Sequence, residues 1–154
     1  MQPRFWKLSQ GVKFFDYKSI LRTIDSGLVY VHGDTGATAT SSKTQGQNFI
    51  EAPIGDYFYL THGNKGIYLL GQFSGPANVF STKKDGWLDR PFRLIKLSIT
   101  HDHYKGKPKR WAPSDNSTFT EVPNNELSLF EKEILIPFFE IKLKEFGITS
   151  EPAT

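Results

Sequence analysis

The 154-residue chain has no cysteine. That excludes disulfide staples and thiolate metal sites, and it is compatible with a cytoplasmic location. No apolar run approaches the length of a membrane span, and the N-terminus has no signal-peptide core, so no membrane partner is expected. Phosphate-cradling loops of the Walker type and the GxSxG nucleophile elbow are both missing, and no nucleophile–base pair is legible. The chain is therefore read as a non-enzyme. His101 and His103 stand two apart without a third ligand nearby in sequence, which favours two solvent-facing histidines over a metal pair. No metal and no cofactor is expected, and there is no internal repeat.

Aromatic residues are plentiful instead, at 14% of the chain. So many rings in a small domain suit a β-rich core, a stacking surface, or both. The net charge is only +3, but nine basic residues against three acidic ones lie between Thr82 and Arg110. That stretch carries +6 on a body of about −3, the footprint of a polyanion binder. A solvated surface loop is the other reading of the same run.

Along the chain, PRFWKLSQG reads as a strand ending at Gly11. A short helix follows, with Asp16 as N-cap, Tyr17, Ile20, Leu21 and Ile24 as its apolar positions, and Gly27 as C-cap. LVYVH is a second strand. Asp34–Asn48 is small and polar and reads as a long loop, either functional or simply unstructured. Tyr57–Thr61 and Ile67–Phe73 flank HGNKG and form a hairpin. RPFRLIKLSIT is a mostly buried strand, and HDHYKGKPKRWAPSDNSTF is a basic loop. From Pro123 to Gly147 the apolar spacing predicts a C-terminal helix, kinked or split at Pro137, with Phe130, Ile134 and Phe138 packed on the sheet. His32 and His62 stand at strand ends, where they either reach a pocket or hydrogen-bond within the fold.

The tryptophans narrow the choice. Trp6 shares a strand face with Leu8, while Lys7 and Ser9 share the other. Trp87, in KKDGWLDRPF, reads as a loop residue among bases, and Trp111 ends KGKPKRW. A tryptophan beside cations either stacks on a nucleobase or folds back as a loop anchor. Anchoring is the better reading for Trp111.

Four stretches, FWKLSQG, GDYFYLTHGNKGIYLLGQFSGP, KDGWLDRPFRLIKLSI and EVPNNEL, resemble in order the PUA-like superfamily, especially its EVE and YTH domains. The resemblance spans roughly residues 4 to 146. It implies an α+β fold, a curled antiparallel or mixed sheet or small open barrel flanked by helices, over residues 1–147, with residues 148–154 starting a linker. Such domains stand at the N-terminus of McrB-type subunits of modification-dependent restriction systems, ahead of an AAA+ GTPase motor. The implied function is recognition of a modified base flipped out of DNA. An RNA reader of the same fold, or a protein-interaction domain docking through its Phe-rich helix, are the alternatives. By this resemblance Trp87 is a wall of the base pocket. Trp6, Tyr30 and Phe14 are further candidate walls by neighbourhood, and Lys7, Ser9 and Asp85 are candidate polar contacts. Lys83, Lys84, Arg90, Lys105, Lys107, Lys109 and Arg110 would hold the nucleic-acid backbone.

Overall fold

The computed structural model describes residues 2–10, 16–32, 44–63, 66–79, 87–100 and 102–148. Six strands form one sheet: β1 (Phe5–Ser9), β2 (Leu28–His32), β3 (Tyr57–Thr61), β4 (Ile67–Phe73), β5 (Trp87–Leu97) and β6 (Phe119–Glu121), in the order β2-β5-β4-β3-β1-β6. β1 runs parallel to β3, and the other pairings are antiparallel. Helix α1 (Tyr17–Ser26) has the expected caps: the Asp16 carboxylate accepts from the Ser19 N–H, and Gly27 closes the helix at φ 69°.

A second helix, α2 (Gln45–Glu51), starts inside the stretch read as a loop. Thr44 and Gln47 form a capping box there, each side chain taking the other's backbone N–H, which lets so short a helix hold. α2 touches both β6 and β2, the two edges of the sheet. A seven-residue helix is only about 10 Å long, whereas six flat strands would span about 24 Å. The sheet must therefore curl until its edges approach one helix. Gln10, just past β1, adds a second tie across the gap: its Oε1 accepts the Tyr30 N–H of β2 at 3.0 Å, and its Nε2 donates to Thr23 of α1.

Alternation along the strands feeds two cores. Trp6, Leu8, Phe58 and Leu60 point into the concave face, where they meet Phe49 of α2, Phe73 and Phe119. Close ring packing there requires Gly71, since a Cβ would lie 2.6 Å from the Phe58 ring. Phe5, Tyr57 and Tyr59 point the other way and are covered by the C-terminal segment. That segment is compound: a 3-10 turn (Asn124–Glu126), α3 (Leu127–Phe130), a π turn (Glu131–Leu135), α4 (Ile136–Phe139) and a 3-10 turn (Leu143–Phe146). Regular helix ends near Glu140, which takes a left-handed conformation, and Gly147 caps only the last turn. Pro137 is the second residue of α4, which follows directly on the π turn. Phe130, Ile134 and Phe138 are buried in this core as expected, so the phenylalanines that would have docked a partner are packed inside the chain's own core. Ile148 is buried there too, and residues 149–154 lie outside the described residues.

Strand β5 differs from expectation at both ends. It begins at Trp87, so this tryptophan is a strand residue and not a loop residue. Its C-terminal half is not buried: Leu94, Leu97 and, just beyond, Ile99 are exposed. Pro91 marks a change of partner, with residues 87–91 pairing β2 and residues 92–97 pairing β4. A residue without an N–H suits such a switch point.

Candidate nucleic-acid interface

The basic residues divide into those turned inward and those turned outward. Lys7 is wholly buried. Its Nζ donates to the carbonyls of Ala112 (3.2 Å) and Asp115 (3.0 Å), pinning the segment that crosses the outer face of β1. Burial lowers its pKa from 10.5 to about 8, partly offset by the nearby Asp115 carboxylate. Ser9 lies on the same face and donates its N–H to Thr118. Lys7 is therefore not a pocket or solvent-facing residue but a structural pin, whereas Ser9, at the end of the strand, is only half-buried. Arg90 also turns inward and away from any phosphate. It shares a β5 face with Leu88 and Phe92, which are both in the concave core, so parity turns it inward. Its guanidinium donates to Gly75 O (2.8 Å) and Phe49 O (2.9 Å) and lies over the Phe73 ring. It holds α2 to the sheet and is not presented to a phosphate.

Outward lie Lys105, Lys107 and Arg110, all exposed. Lys109 is half-buried and paired with Glu126 at 3.3 Å. Phe14, Lys83, Lys84, Asp85 and His101 fall outside the described residues.

The three tryptophans have different settings. Trp111 is the loop anchor expected: it is buried, and its indole N–H donates to Glu126 at 2.8 Å. Trp6 is also buried, stacked on Phe119 at 4.5 Å, and donates to the Asp56 carboxylate at 2.9 Å. With one face covered by Phe119, it underpins a pocket better than it cages a base. Trp87 is only half-buried. Its cross-strand partner is His32, whose ring meets it edge to face at 5.1 Å. Tyr30 pairs with Asp89 one step along, so Tyr30, His32, Trp87 and Asp89 share one face of the β2–β5 ribbon. Burial, with help from the Asp89 carboxylate, raises the Tyr30 phenol, which stays a neutral donor at pH 7. The ribbon thus presents ring surface, a phenol and a buried carboxylate together. His32 is one of the two histidines the sequence left undecided, because cross-strand register shows only in the fold.

Trp6 belongs to a different place. A cavity of about 590 Å³ lies between β6, the end of α2 and the Lys109–Trp111 segment. Trp6, Phe119, Lys109 and Arg110 line it together with Arg4, Glu51 and Glu121. Neither Trp87 nor Tyr30 is among its lining residues, so the expected walls do not all meet in that cavity.

No family model matches the chain, and no curated protein matches its sequence. Solved structures do match. A hypothetical protein from Leishmania major is 11% identical over 85% of this chain and 94% of its own, with a TM-score of 0.52. A protein from Pseudomonas syringae is 14% identical over 83% and 97%, also at 0.52. The chain has the fold of these proteins. It is the α+β architecture expected from the sequence, a curled mixed sheet flanked by helices. A YTH domain in complex with RNA matches over 63% of this chain at 10% identity, with a TM-score of 0.46, and the match spans 55% of that structure's chain. Among the described residues no helix is long and apolar enough to cross a membrane.

Proposed function

We propose that the chain is a non-catalytic reader of a modified base in nucleic acid, with the base held on the outer face of the β2–β5 ribbon. One observation carries the reading. Of three tryptophans, two have their rings buried in the cores and their N–H groups on carboxylates, while Trp87 keeps a half-exposed ring beside His32, Tyr30 and Asp89. The resemblance at KDGWLDRPFRLIKLSI points to the same residue.

The energetics decide what such a site must do. Unstacking a base costs a few kcal/mol, and stacking on an aromatic face returns about 1–3 kcal/mol. One methyl group adds on the order of 1 kcal/mol. Ring contact alone therefore holds a base but barely distinguishes a modified one. Discrimination needs a hydrogen bond that only one form of the base satisfies, since leaving a buried partner unmade costs about 1–3 kcal/mol. The Tyr30 phenol is the donor at hand, beside the buried Asp89 carboxylate. Lys105, Lys107 and Arg110 supply the sequence-independent attraction to phosphates.

A role as the target-recognition domain of a restriction system, working on DNA, is the form of this reading that the sequence resemblance carries. Binding to matched oligonucleotides tests it: DNA duplex, DNA single strand and RNA single strand, each with and without N6-methyladenine or 5-methylcytosine. The expected result is salt-dependent binding with a preference of roughly tenfold or more for one modified form. No binding to any polymer at low salt overturns the proposal.

A further inference from the structure

We propose that the outer edge of β6 is a peptide-docking site, a groove in which a short, extended acidic peptide adds as a further strand. The register decides which backbone groups face outward. Lys7 stands opposite Thr120. Two residues to either side, Ser9 N–H donates to Thr118 O at 2.7 Å and Val122 N–H to Phe5 O at 2.8 Å. Bonded and non-bonded pairs alternate in an antiparallel ladder, so Lys7 and Thr120 are a bonded pair. Phe119 and Glu121, on either side of Thr120, turn their N–H and C=O groups away from β1. Gln45 Oε1 takes the Phe119 N–H at 2.8 Å. The Phe119 C=O and the N–H and C=O of Glu121 have no partner among the described residues. Such an open edge is a template for another strand.

The cavity of about 590 Å³ runs along this edge and has a wall on each face of the sheet. Trp6, Asn48 and Ala52 form the concave wall, and Lys109, Arg110 and Trp111 the convex one. The convex wall is tied down, since the Thr120 hydroxyl donates to Arg110 O at 3.0 Å. A peptide suits the groups on offer. One residue of an antiparallel strand can give its N–H to Glu121 C=O and accept the Glu121 N–H in return. A phosphodiester chain has no amide N–H and cannot make that reciprocal pair. Gln45 closes the ladder at Phe119, so the added strand is short. Charge favours an acidic residue. Arg4 is committed to Asp56 and Glu121, and Lys109 to Glu126. Arg110 is exposed, and its guanidinium has no partner among the described residues. The peptide residue opposite Thr120 turns its side chain to the face on which Arg110 lies, and an Asp or Glu there meets a guanidinium that matches a carboxylate. The groove shares no residue with the β2–β5 ribbon.

The test selects linear heptapeptides from a random display library on the whole chain and titrates the chain with the best of them by calorimetry. The selected peptides should share an acidic residue, bind saturably and protect the Glu121 amide from hydrogen exchange. Glu121→Ala keeps the backbone donor and should keep most of the affinity. Glu121→Pro removes an outward N–H, spares the bonds to β1 and should weaken binding about tenfold or more at an unchanged melting temperature. Arg110→Ala should weaken the acidic peptide and leave its Asn or Gln counterpart unaffected. Single N-methyl groups placed along the peptide test the ladder with the protein unaltered, and sensitive positions should lie two residues apart. Failure to select any peptide overturns the proposal. So does native binding by Glu121→Pro, an equal loss in Glu121→Ala, or a peptide indifferent to N-methylation. An oligonucleotide that binds where no peptide does, and is lost in Glu121→Pro, assigns the groove to nucleic acid and overturns it too.

Discussion

The two faces of the sheet are closed by the same device using different cations. On the convex face Lys7 reaches up to two carbonyls of the segment that covers it; on the concave face Arg90 reaches two carbonyls, one of them on α2. Each side chain is wholly or almost wholly buried. Only one of the two can lose its charge within an ordinary pH range, because burial brings Lys7 to about 8 while arginine stays protonated. The comparison teaches that a basic residue in this chain says nothing about nucleic acid until its strand parity is known. Lys7 shares a face with Phe5 in a buried strand, and Arg90 lies between Leu88 and Phe92 on one face.

Four variants sharpen that contrast. The largest effect belongs to the packing that both pins serve. Phe130→Ala empties a fully buried site in the convex core and should cost about 3–5 kcal/mol in chemical denaturation. A variant that melts like the parent would mean the C-terminal segment does not seal that face. Arg90→Ala leaves Gly75 O and Phe49 O without their donor, at about 1–3 kcal/mol for each buried acceptor, and should loosen α2 first. Faster amide exchange in α2 than in β3 would be its signature, and uniform exchange would count against it.

The lysine pin behaves differently with pH. The folded pKa lies below the unfolded one, so between about 8 and 10.5 the unfolded chain holds more protons at this site than the folded chain does. The contribution of Lys7 to stability therefore rises with pH across that window, by roughly 3 kcal/mol at full extent. Comparing the parent with Lys7→Met at pH 7 and pH 10 should show the difference shifting toward the parent at high pH. A pH-independent difference would rule out a titrating pin, and Arg90→Ala should give no such slope. Smallest in stability terms is the outward pair. Neutralising Lys105 and Lys107 should leave stability within about 0.5 kcal/mol. It should weaken nucleic-acid binding to every sequence alike and flatten the salt slope by roughly one unit per lost phosphate contact. Unchanged binding would make the segment a solvated loop.

The local signals in the sequence were legible where they were self-contained. Asp16 and Gly27 bracket α1, and the hairpin strands fall at Tyr57–Thr61 and Ile67–Phe73 as expected. Thr44 and Gln47 carried a capping box that marks α2, but a polar, Gly-containing surround hid it among loop residues. The inward turn of Arg90 was also readable, from Leu88 and Phe92 two residues to either side, and charge counting obscured it. The cavity was not readable at all. Arg4, Glu51, Arg110 and Glu121 come from four separate segments, and only the curl of the sheet and the docking of α2 bring them together. The pairing of His32 with Trp87 likewise depends on a register between strands that lie far apart in sequence.

What separates Trp87 from Trp6 and Trp111 is the central claim, and one variant measures it. Trp87→Ala should melt close to the parent, since the ring is half-exposed. It should lose most of the affinity ratio between modified and unmodified oligonucleotides while keeping salt-dependent binding to both, because phosphates and base faces are held by different groups. A well-folded Trp87→Ala protein with the parent's ratio contradicts the account, as does a protein that loses affinity for every oligonucleotide together with its stability.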